Sequence, residues 1–112
     1  MKTIKSKKEF ETVFSNGKRY SHRLVRITVL SANKGGLQKV AFVAPKRLGN
    51  AVFRNRCKRV LRAAAYECGL PAENAAVILF ATKATHDATS YQVADALKQL
   101  MQKAGVGCDS HK

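Results

Sequence analysis

One segment of the chain is apolar without interruption: Ala75–Ala81 reads AAVILFA. A strand with one face in water alternates apolar and polar residues, whereas a bounded apolar run is typical of a strand that is covered on both faces. The chain has 112 residues, enough for one domain and too few for two ordinary ones. We therefore expect a single domain over residues 1–112, with an ordered core at about 4–104 and a frayed tail at 106–112.

Three segments have the apolar spacing of helices. The first is residues 7–16, which follow a possible capping box at Ser6–Glu9. The second begins after Asn50, a residue type that caps helices well, and carries one apolar face. The third follows another possible capping box at Thr89–Gln92 and ends at Gly105.

Two alternating segments precede the second helix. Residues 22–32 and 37–44 predict strands, and Lys34–Gly36 between them is a turn signal, so we expect an antiparallel hairpin. Pro45 has no N–H to donate and ends the second strand. The predicted order is α-β-β-α-β-α, with room for an extra short strand. This is an α+β fold in which three helices pack on a small mixed sheet.

The chain is strongly basic. Lys and Arg number 21 against 7 Asp and Glu, which gives a formal charge of +14. The first 62 residues contain 17 of these bases and 2 of the acids, so the excess charge lies in that part of the chain. A one-sided surplus in a folded domain indicates a polyanionic partner. Nucleic acid is the first candidate and an anionic membrane surface is the second.

The spacing of apolar residues, cysteines and possible metal ligands in the sequence argues against several classes of protein. No apolar run approaches the roughly 20 residues of a membrane span, and no apolar stretch of a secretory signal follows the basic N-terminus. The 3 cysteines form no C-x-x-C pair, which suits a reducing cytoplasm. The acids and histidines show no metal-ligand spacing, so we expect no metal site and no catalysis by this chain alone. His22 could act as a general base, although a lone histidine in a strand is more often solvated or hydrogen-bonded.

The densest basic feature is residues 46–62, which contain no acid. Arg54, Lys58 and Arg62 are four residues apart, so they stack along one side of the second helix, opposite its apolar face. Like charges at this spacing destabilise a helix, and a phosphate backbone would compensate for that cost. The alternative is a solvated cationic face.

Phe10 and Phe14 lie one turn apart in the first helix, with Lys18 and Arg19 close behind them. Aromatic rings beside cations are a common platform for unstacked bases, and the strand that follows is predicted to have a partly open face. The other interpretation is that both phenylalanines belong to the core. The residue pattern alone leaves the two interpretations open.

The run Gly49–Arg59 reads GNAVFRNRCKR and closely resembles the signature of the bacterial ribonuclease P protein subunit. Other blocks resemble the family in the same order: F-x-x-V-F at Phe10–Phe14, the strand at Val77–Ala81 and the final amphipathic helix. The resemblance covers about residues 4–104.

This resemblance implies the small subunit of a ribonucleoprotein endonuclease that removes the 5′ leader of precursor tRNA. The RNA subunit would perform the hydrolysis with Mg²⁺ that is held mainly by RNA, and the free protein would be a cytoplasmic monomer. Carried onto this chain, the residues that would bind the catalytic RNA are Lys46, Arg47, Asn50, Arg54, Asn55, Arg56, Lys58, Arg59 and Arg62. The residues that would line a cleft for the single-stranded leader are Phe10, Phe14, Lys18, Arg19, Arg26 and Thr28.

The resemblance also implies a fold similar to the second domain of ribosomal protein S5, with a left-handed β-α-β crossover. Such crossovers are right-handed in about 98% of cases, so this expectation rests on the resemblance alone. Thr28 stands where some members of the family have an aromatic residue. Three alternatives are another RNA-binding module such as a ribosomal or RNA-chaperone domain, a DNA-binding protein and a stand-alone nuclease. No helix precedes the basic helix at helix-turn-helix spacing, and the paired acids of a metal-dependent nuclease are missing.

Overall fold

The structure is a computed structural model that describes residues 4, 7–31, 39–70 and 75–104. Within these ranges, four helices and one turn of 3₁₀-helix surround a four-stranded sheet, so the predicted α+β class is confirmed. In chain order the elements are α1 (Lys7–Asn16), β1 (Lys18–Ser21), β2 (Val25–Ser31), β3 (Lys39–Val43), the 3₁₀ turn Lys46–Leu48, α2 (Ala51–Glu67), β4 (Ala75–Ala81), α3 (Lys83–Asp87) and α4 (Ser90–Ala104).

The apolar strand β4 lies inside the sheet, whose strand order is β1-β2-β4-β3. It pairs antiparallel with β2 and parallel with β3, so that Ile78 lies between Thr28 and Ala41. Its side chains enter two core clusters alternately, with Val77 and Leu79 in the larger cluster and Ile78 in the smaller one. The prediction of a strand covered on both faces is confirmed. β3, α2 and β4 form the expected β-α-β unit, and the left hand of its crossover stays a prediction.

The predicted hairpin between residues 22–32 and 37–44 is wrong. β2 and β3 are not neighbours, because β4 lies between them and hydrogen-bonds to both. The antiparallel hairpin joins β1 to β2 instead, and in its turn the His22 N–H donates to the Val25 carbonyl at 2.9 Å. β1 is thus the extra short strand. The turn signal Lys34–Gly36 lies outside the described residues. Alternation along the chain identifies strands and their faces, but it does not identify their partners.

Helices α2 and α4 cover one face of the sheet, and local capping defines where each begins. Asn50 Oδ1 accepts a hydrogen bond from the Phe53 N–H at 2.9 Å. Thr89 and Gln92 exchange side-chain to backbone hydrogen bonds of 3.0 and 3.1 Å. Both predicted caps are therefore confirmed, whereas Ser6 of the first proposed capping box lies outside the described residues.

The short helix α3 was not predicted, and it is held by its threonine hydroxyls. Thr82 Oγ1 donates to the Arg23 carbonyl at 2.7 Å, and Thr85 Oγ1 donates to the Leu24 carbonyl at 2.6 Å. The Thr82 N–H in turn donates to Thr85 Oγ1 at 2.8 Å. These bonds dock α3 against the turn between β1 and β2. A five-residue helix that depends on such long-range bonds leaves little periodicity in the sequence.

The opposite face of the sheet is covered by α1. Val13 is the buried residue of this helix and packs with Ala41 and Ile78 in the smaller core cluster. Gly17 follows the helix, and a Cβ at this position would stand 2.8 Å from Thr28 Cγ2. Glycine therefore permits the close approach of α1 to β2. A helix of ten residues is about 15 Å long and leaves part of this face open.

Candidate nucleic-acid interface

A groove of about 340 Å³ crosses the open part of the sheet beside α1. Its lining combines aromatic, apolar and cationic side chains, and among the described residues it includes three arginines and no acid. The lining residues are Phe14, Arg19, Tyr20, Ser21, Arg26, Ile27, Thr28, Val43, Pro45, Arg47 and Phe80. A surface of this composition suits a polyanion that also presents flat rings.

Phe14 is the most exposed phenylalanine ring described in the structure, at 38%. Its ring is nearly parallel to that of Phe10, with centroids 6.2 Å apart, and it is tilted against Phe80 at 5.9 Å. The guanidinium of Arg19 lies over the Phe14 ring, 4.4 Å from its centroid. Phe14 is thus packed against Phe10 and Phe80, while its ring and the Arg19 guanidinium line the groove. An arginine plane and an aromatic ring can both stack with an unpaired base.

The structure brings together four of the six predicted cleft residues, namely Phe14, Arg19, Arg26 and Thr28. Phe10 packs against the smaller core cluster beneath them. Lys18 does not line the groove. It pairs with Val29 of β2 and lies beside a separate depression near Asn16 and Ala104.

Thr28 is only 1% exposed, so the strand face that was predicted to be partly open is closed at this position. The close approach of Gly17 to the Thr28 methyl group explains the burial. Thr28 therefore belongs to the floor of the groove, and it offers no ring to a base.

Sequence reasoning missed several groove residues, including Tyr20, Val43 and Phe80. Phe80 is the one partly exposed residue of β4, and it lies on the same face as Ile78, toward α1. Alternation along β4 predicts which face Phe80 lies on. Its partial exposure could be predicted only if it were known that a short helix covers that face incompletely. Arg47 was predicted to belong with the basic helix, yet the 3₁₀ turn that precedes α2 directs it to the groove.

The second cationic feature is α2, whose predicted apolar face is buried at Cys57, Leu61 and Ala64. Arg54 and Lys58 were predicted to lie opposite this face, but both are half-buried, because at 3.6 residues per turn they lie at its edge beside Leu61. Arg56, Arg59 and Arg62 are exposed. We call the basic residues Lys46–Arg62, together with Asn50 and Asn55, the α2 surface. Asn50 contributes its side chain to the helix cap, while Asn55 is exposed.

Several arginines of the α2 surface are oriented by neighbouring groups. Arg56 Nε donates to the His86 carbonyl at 3.0 Å, and His86 stacks on Phe53 with ring centroids 4.1 Å apart. The Arg62 guanidinium lies 5.6 Å from the centre of the Phe42 ring. Arg54 Nε is buried and has no hydrogen-bond partner among the described residues. The contacts of Arg56 and Arg62 limit the side-chain freedom that would otherwise be lost on binding.

None of the seven bases in residues 46–62 forms an ion pair with another described residue. The ion pairs of the described part of the chain are Lys39–Glu9 at 2.7 Å and His86–Asp87 at 2.9 Å. The positive charges of the α2 surface are therefore not neutralised by any acid among the residues that the structure describes. Exposed cations of one sign raise the local concentration of a polyanion and speed its association.

Other groups that could carry chemistry have structural roles. Burial raises the pKa of the Cys57 thiol, which keeps it protonated and unreactive. His22 Nδ1 accepts a hydrogen bond from the Leu24 N–H at 3.1 Å and so stabilises the β1–β2 turn. Among the residues that the structure describes, no three His, Cys, Asp or Glu side chains converge as metal ligands would. Every described helix is too short or too polar to cross a bilayer.

The mixed sheet, the arginine-lined groove and the α2 surface define a small α+β protein suited to binding a polyanion. A family model described as Ribonuclease P matches residues 1–105. The chain belongs to the ribonuclease P protein family, and it is of the bacterial type.

Relatives and solved structures agree with this membership. The ribonuclease P protein component of Exiguobacterium sibiricum is 30% identical over 92% of this chain and 90% of the relative. That of Shouchella clausii is 33% identical over 92% and 85%. The ribonuclease P protein of Staphylococcus aureus superposes with a TM-score of 0.77 at 23% identity, covering 95% of this chain and 97% of the other. The protein from Thermotoga maritima gives 0.71 at 16%, covering 91% and 97%. At these identities the structural likeness shows a shared fold.

Proposed function

We propose that this chain is the protein subunit of a ribonuclease P holoenzyme, which removes the 5′ leader of precursor tRNA in the cytoplasm. One observation carries the proposal: seven bases between Lys46 and Arg62, none in an ion pair with a described residue, adjoin a cationic groove with exposed aromatic surface. Family membership supports RNA as the polyanion that these two surfaces bind.

The α2 surface is the contact with the folded RNA subunit. Its arginines present planar forks that match phosphate oxygens, and arginines already held by a carbonyl or a ring lose little freedom on binding. Binding should weaken steeply with salt, by roughly 0.7 to 0.9 in the logarithmic slope for each phosphate contact. The residues assigned to this contact are Lys46, Arg47, Asn50, Arg54, Asn55, Arg56, Lys58, Arg59 and Arg62.

The groove beside α1 holds the single-stranded leader. Phe14 and Arg19 offer a stacking surface for one unpaired base, and Arg26 and Arg47 lie in the same groove to meet the backbone phosphates. Arg47 also belongs to the α2 surface, so one residue links the two binding surfaces. The protein would thereby favour precursor tRNA over mature tRNA, which has no leader.

Hydrolysis is the task of the RNA subunit in this proposal. The lining of the groove carries arginines and no carboxylate, which does not suit a divalent cation. Mg²⁺ is therefore assigned to the RNA, and the protein acts by binding and positioning. We assign the free protein as a monomer.

Reconstitution tests the proposal. The protein is mixed with the RNA subunit, and cleavage of precursor tRNA is followed at low Mg²⁺. We expect faster cleavage than with RNA alone, and no stimulation would contradict the proposal. Arg54→Ala combined with Arg56→Ala should weaken binding to the RNA subunit while circular dichroism stays unchanged. Lys98→Ala, at an exposed position of α4, is the matched control.

Phe14→Ala tests the groove separately. It should weaken binding of precursor tRNA by about 1–3 kcal/mol, the value of one base stacked on an aromatic ring, and leave mature tRNA unaffected. Phe14→Leu keeps most of the contact with Phe10 and Phe80 and so separates loss of stacking from loss of packing. An equal loss for precursor and mature tRNA would argue against a leader groove.

A further inference from the structure

The end of α3 meets the start of α2 through two groups of one residue, His86. Its imidazole stacks on the Phe53 ring, with centroids 4.1 Å apart and an angle of 2° between the ring planes. Its carbonyl accepts a hydrogen bond from Arg56 Nε at 3.0 Å. Phe53 and Arg56 are three residues apart, so they lie side by side on α2. His86 therefore contacts a ring of α2 and an arginine of the α2 surface at the same time.

The hydrogen bond to His86 defines how the Arg56 guanidinium is presented. Arg56 is exposed and forms no ion pair with another described residue. The bond uses Nε, so the terminal nitrogens Nη1 and Nη2 can engage two phosphate oxygens as a fork. An unattached arginine would lose most of its rotamer freedom on binding, whereas one that is already held loses less. The His86 carbonyl thus favours a guanidinium that is ready for a phosphate.

His86 itself is fixed from two sides. The preceding residue, Thr85, is fully buried, and its hydroxyl donates to the Leu24 carbonyl at 2.6 Å, which ties α3 to the β1–β2 turn. The imidazole is held by the stack on α2. Its Nδ1 also lies 2.9 Å from Asp87 Oδ1, but the Asp87 side chain is 87% exposed, and ion pairs in water contribute little. The ring stack is therefore the contact that keeps the end of α3 against α2.

We propose that His86 is a positioning residue, whose ring stack on Phe53 keeps its carbonyl where it orients Arg56 for binding a phosphate of the RNA subunit. The inference rests on the proposed function, which assigns Arg56 to that RNA. His86 needs no contact with RNA in this role, because it acts through Arg56. A phenylalanine at this position would preserve the stack and the carbonyl, whereas an alanine would remove the stack.

The orientation of Arg56 is measured first in the free protein. Exchange of the arginine Nε–H groups with water is followed by ¹⁵N NMR in the wild type, in His86→Ala and in His86→Phe. We expect slower exchange at Arg56 than at Arg59, which is exposed on the same helix. This protection should be lost in His86→Ala and retained in His86→Phe.

A double-mutant cycle then connects the orientation to RNA binding. We expect His86→Ala to weaken binding of the RNA subunit about three- to tenfold, and His86→Phe to bind as the wild type does. In an Arg56→Ala background, His86→Ala should add less than about a twofold loss, because the group that it positions is absent. Tyr91→Ala, which removes an exposed ring from α4, is the matched control and should change nothing.

The outcomes separate this inference from the proposed function. Equal losses from His86→Ala with and without the Arg56 guanidinium would indicate a general effect on the fold and overturn the inference. Binding by His86→Phe as weak as that by His86→Ala would also overturn it, since the stack would then not be the cause. In both cases the proposed function stands. If the wild type does not bind the RNA subunit, the proposed function fails and the role of Arg56 in RNA binding fails with it, while the exchange rates still decide whether His86 holds Arg56.

Discussion

Gly17→Ala tests how α1 is fixed on the sheet. A Cβ at this position would stand 2.6 Å from the Val13 carbonyl oxygen, 2.8 Å from Thr28 Cγ2 and 2.9 Å from the Val29 carbonyl oxygen. Two of these atoms belong to the backbone and cannot rotate away, so α1 must shift relative to β2. Overpacking of this kind costs about 1–3 kcal/mol in the free energy of unfolding. For a domain of this size that corresponds to a fall in Tm of roughly 5–15 °C.

Urea and thermal unfolding, followed by circular dichroism, measure the loss. Ser15→Ala is the matched control, since Ser15 is exposed on the last turn of α1 and should change the free energy of unfolding by less than about 0.5 kcal/mol. If Gly17→Ala unfolds at the same urea concentration as the wild type, the close approach of α1 to β2 does not constrain the fold, and the reasoning is refuted.

The same substitution distinguishes the two binding surfaces. A shift of α1 moves Phe14 relative to Thr28 and Phe80, whereas α2 packs on the other face of the sheet. Below its Tm, the Gly17→Ala protein should therefore bind precursor tRNA less tightly and bind the RNA subunit as the wild type does. Equal weakening of both would indicate partial unfolding instead of a local shift.

Two further predictions concern stability. Asn50→Ala removes the acceptor for the Phe53 N–H and should lower the free energy of unfolding, measured in urea, by about 1 kcal/mol. Asn55→Ala, at an exposed position of the same helix, should lower it much less, and equal losses would contradict the capping role. Because burial raises the pKa of the Cys57 thiol, the native state retains a proton that the unfolded chain releases above about pH 9, so the free energy of unfolding should fall as pH rises through that range. Cys57→Ala should show a shallower decline, and an unchanged profile would exclude this thiol as its source.

The existence of most elements could be predicted because their signals are local. The run Ala75–Ala81 identifies the internal strand. The side chain of Asn50 identifies the start of α2, which it caps. The partner of β2 could not be predicted, because strand pairing is decided by contacts between residues that are distant in the chain. The helix α3 was not predicted for the same reason, because it is held by contacts that are distant in the chain, such as the hydrogen bond from Thr85 to the Leu24 carbonyl.

The candidate site divides in the same way. The basic character of the α2 surface could be predicted, because residues 46–62 contain seven bases and no acid. The placement of Arg54 and Lys58 opposite the apolar face was wrong, since both are half-buried at its edge. The groove could be predicted only in part. The direction of the Lys18 side chain depends on its register in β1, a strand whose bounds were not predicted. The direction of the Arg47 side chain depends on a 3₁₀ turn.

The insertion of β4 between β2 and β3 has a consequence for how the chain is made. Both strands are synthesised before β4, and each forms its main sheet contacts with it. A nascent chain that ends before Ala75 therefore exposes two strand edges and the apolar faces of β2 and β3, with no central strand to join them. The sheet cannot form until β4, which carries no charged residue, has been synthesised after the basic first part of the chain. Folding on the ribosome is thus delayed until β4 has emerged, and like-charge repulsion among the bases discourages early collapse and self-association in the interval.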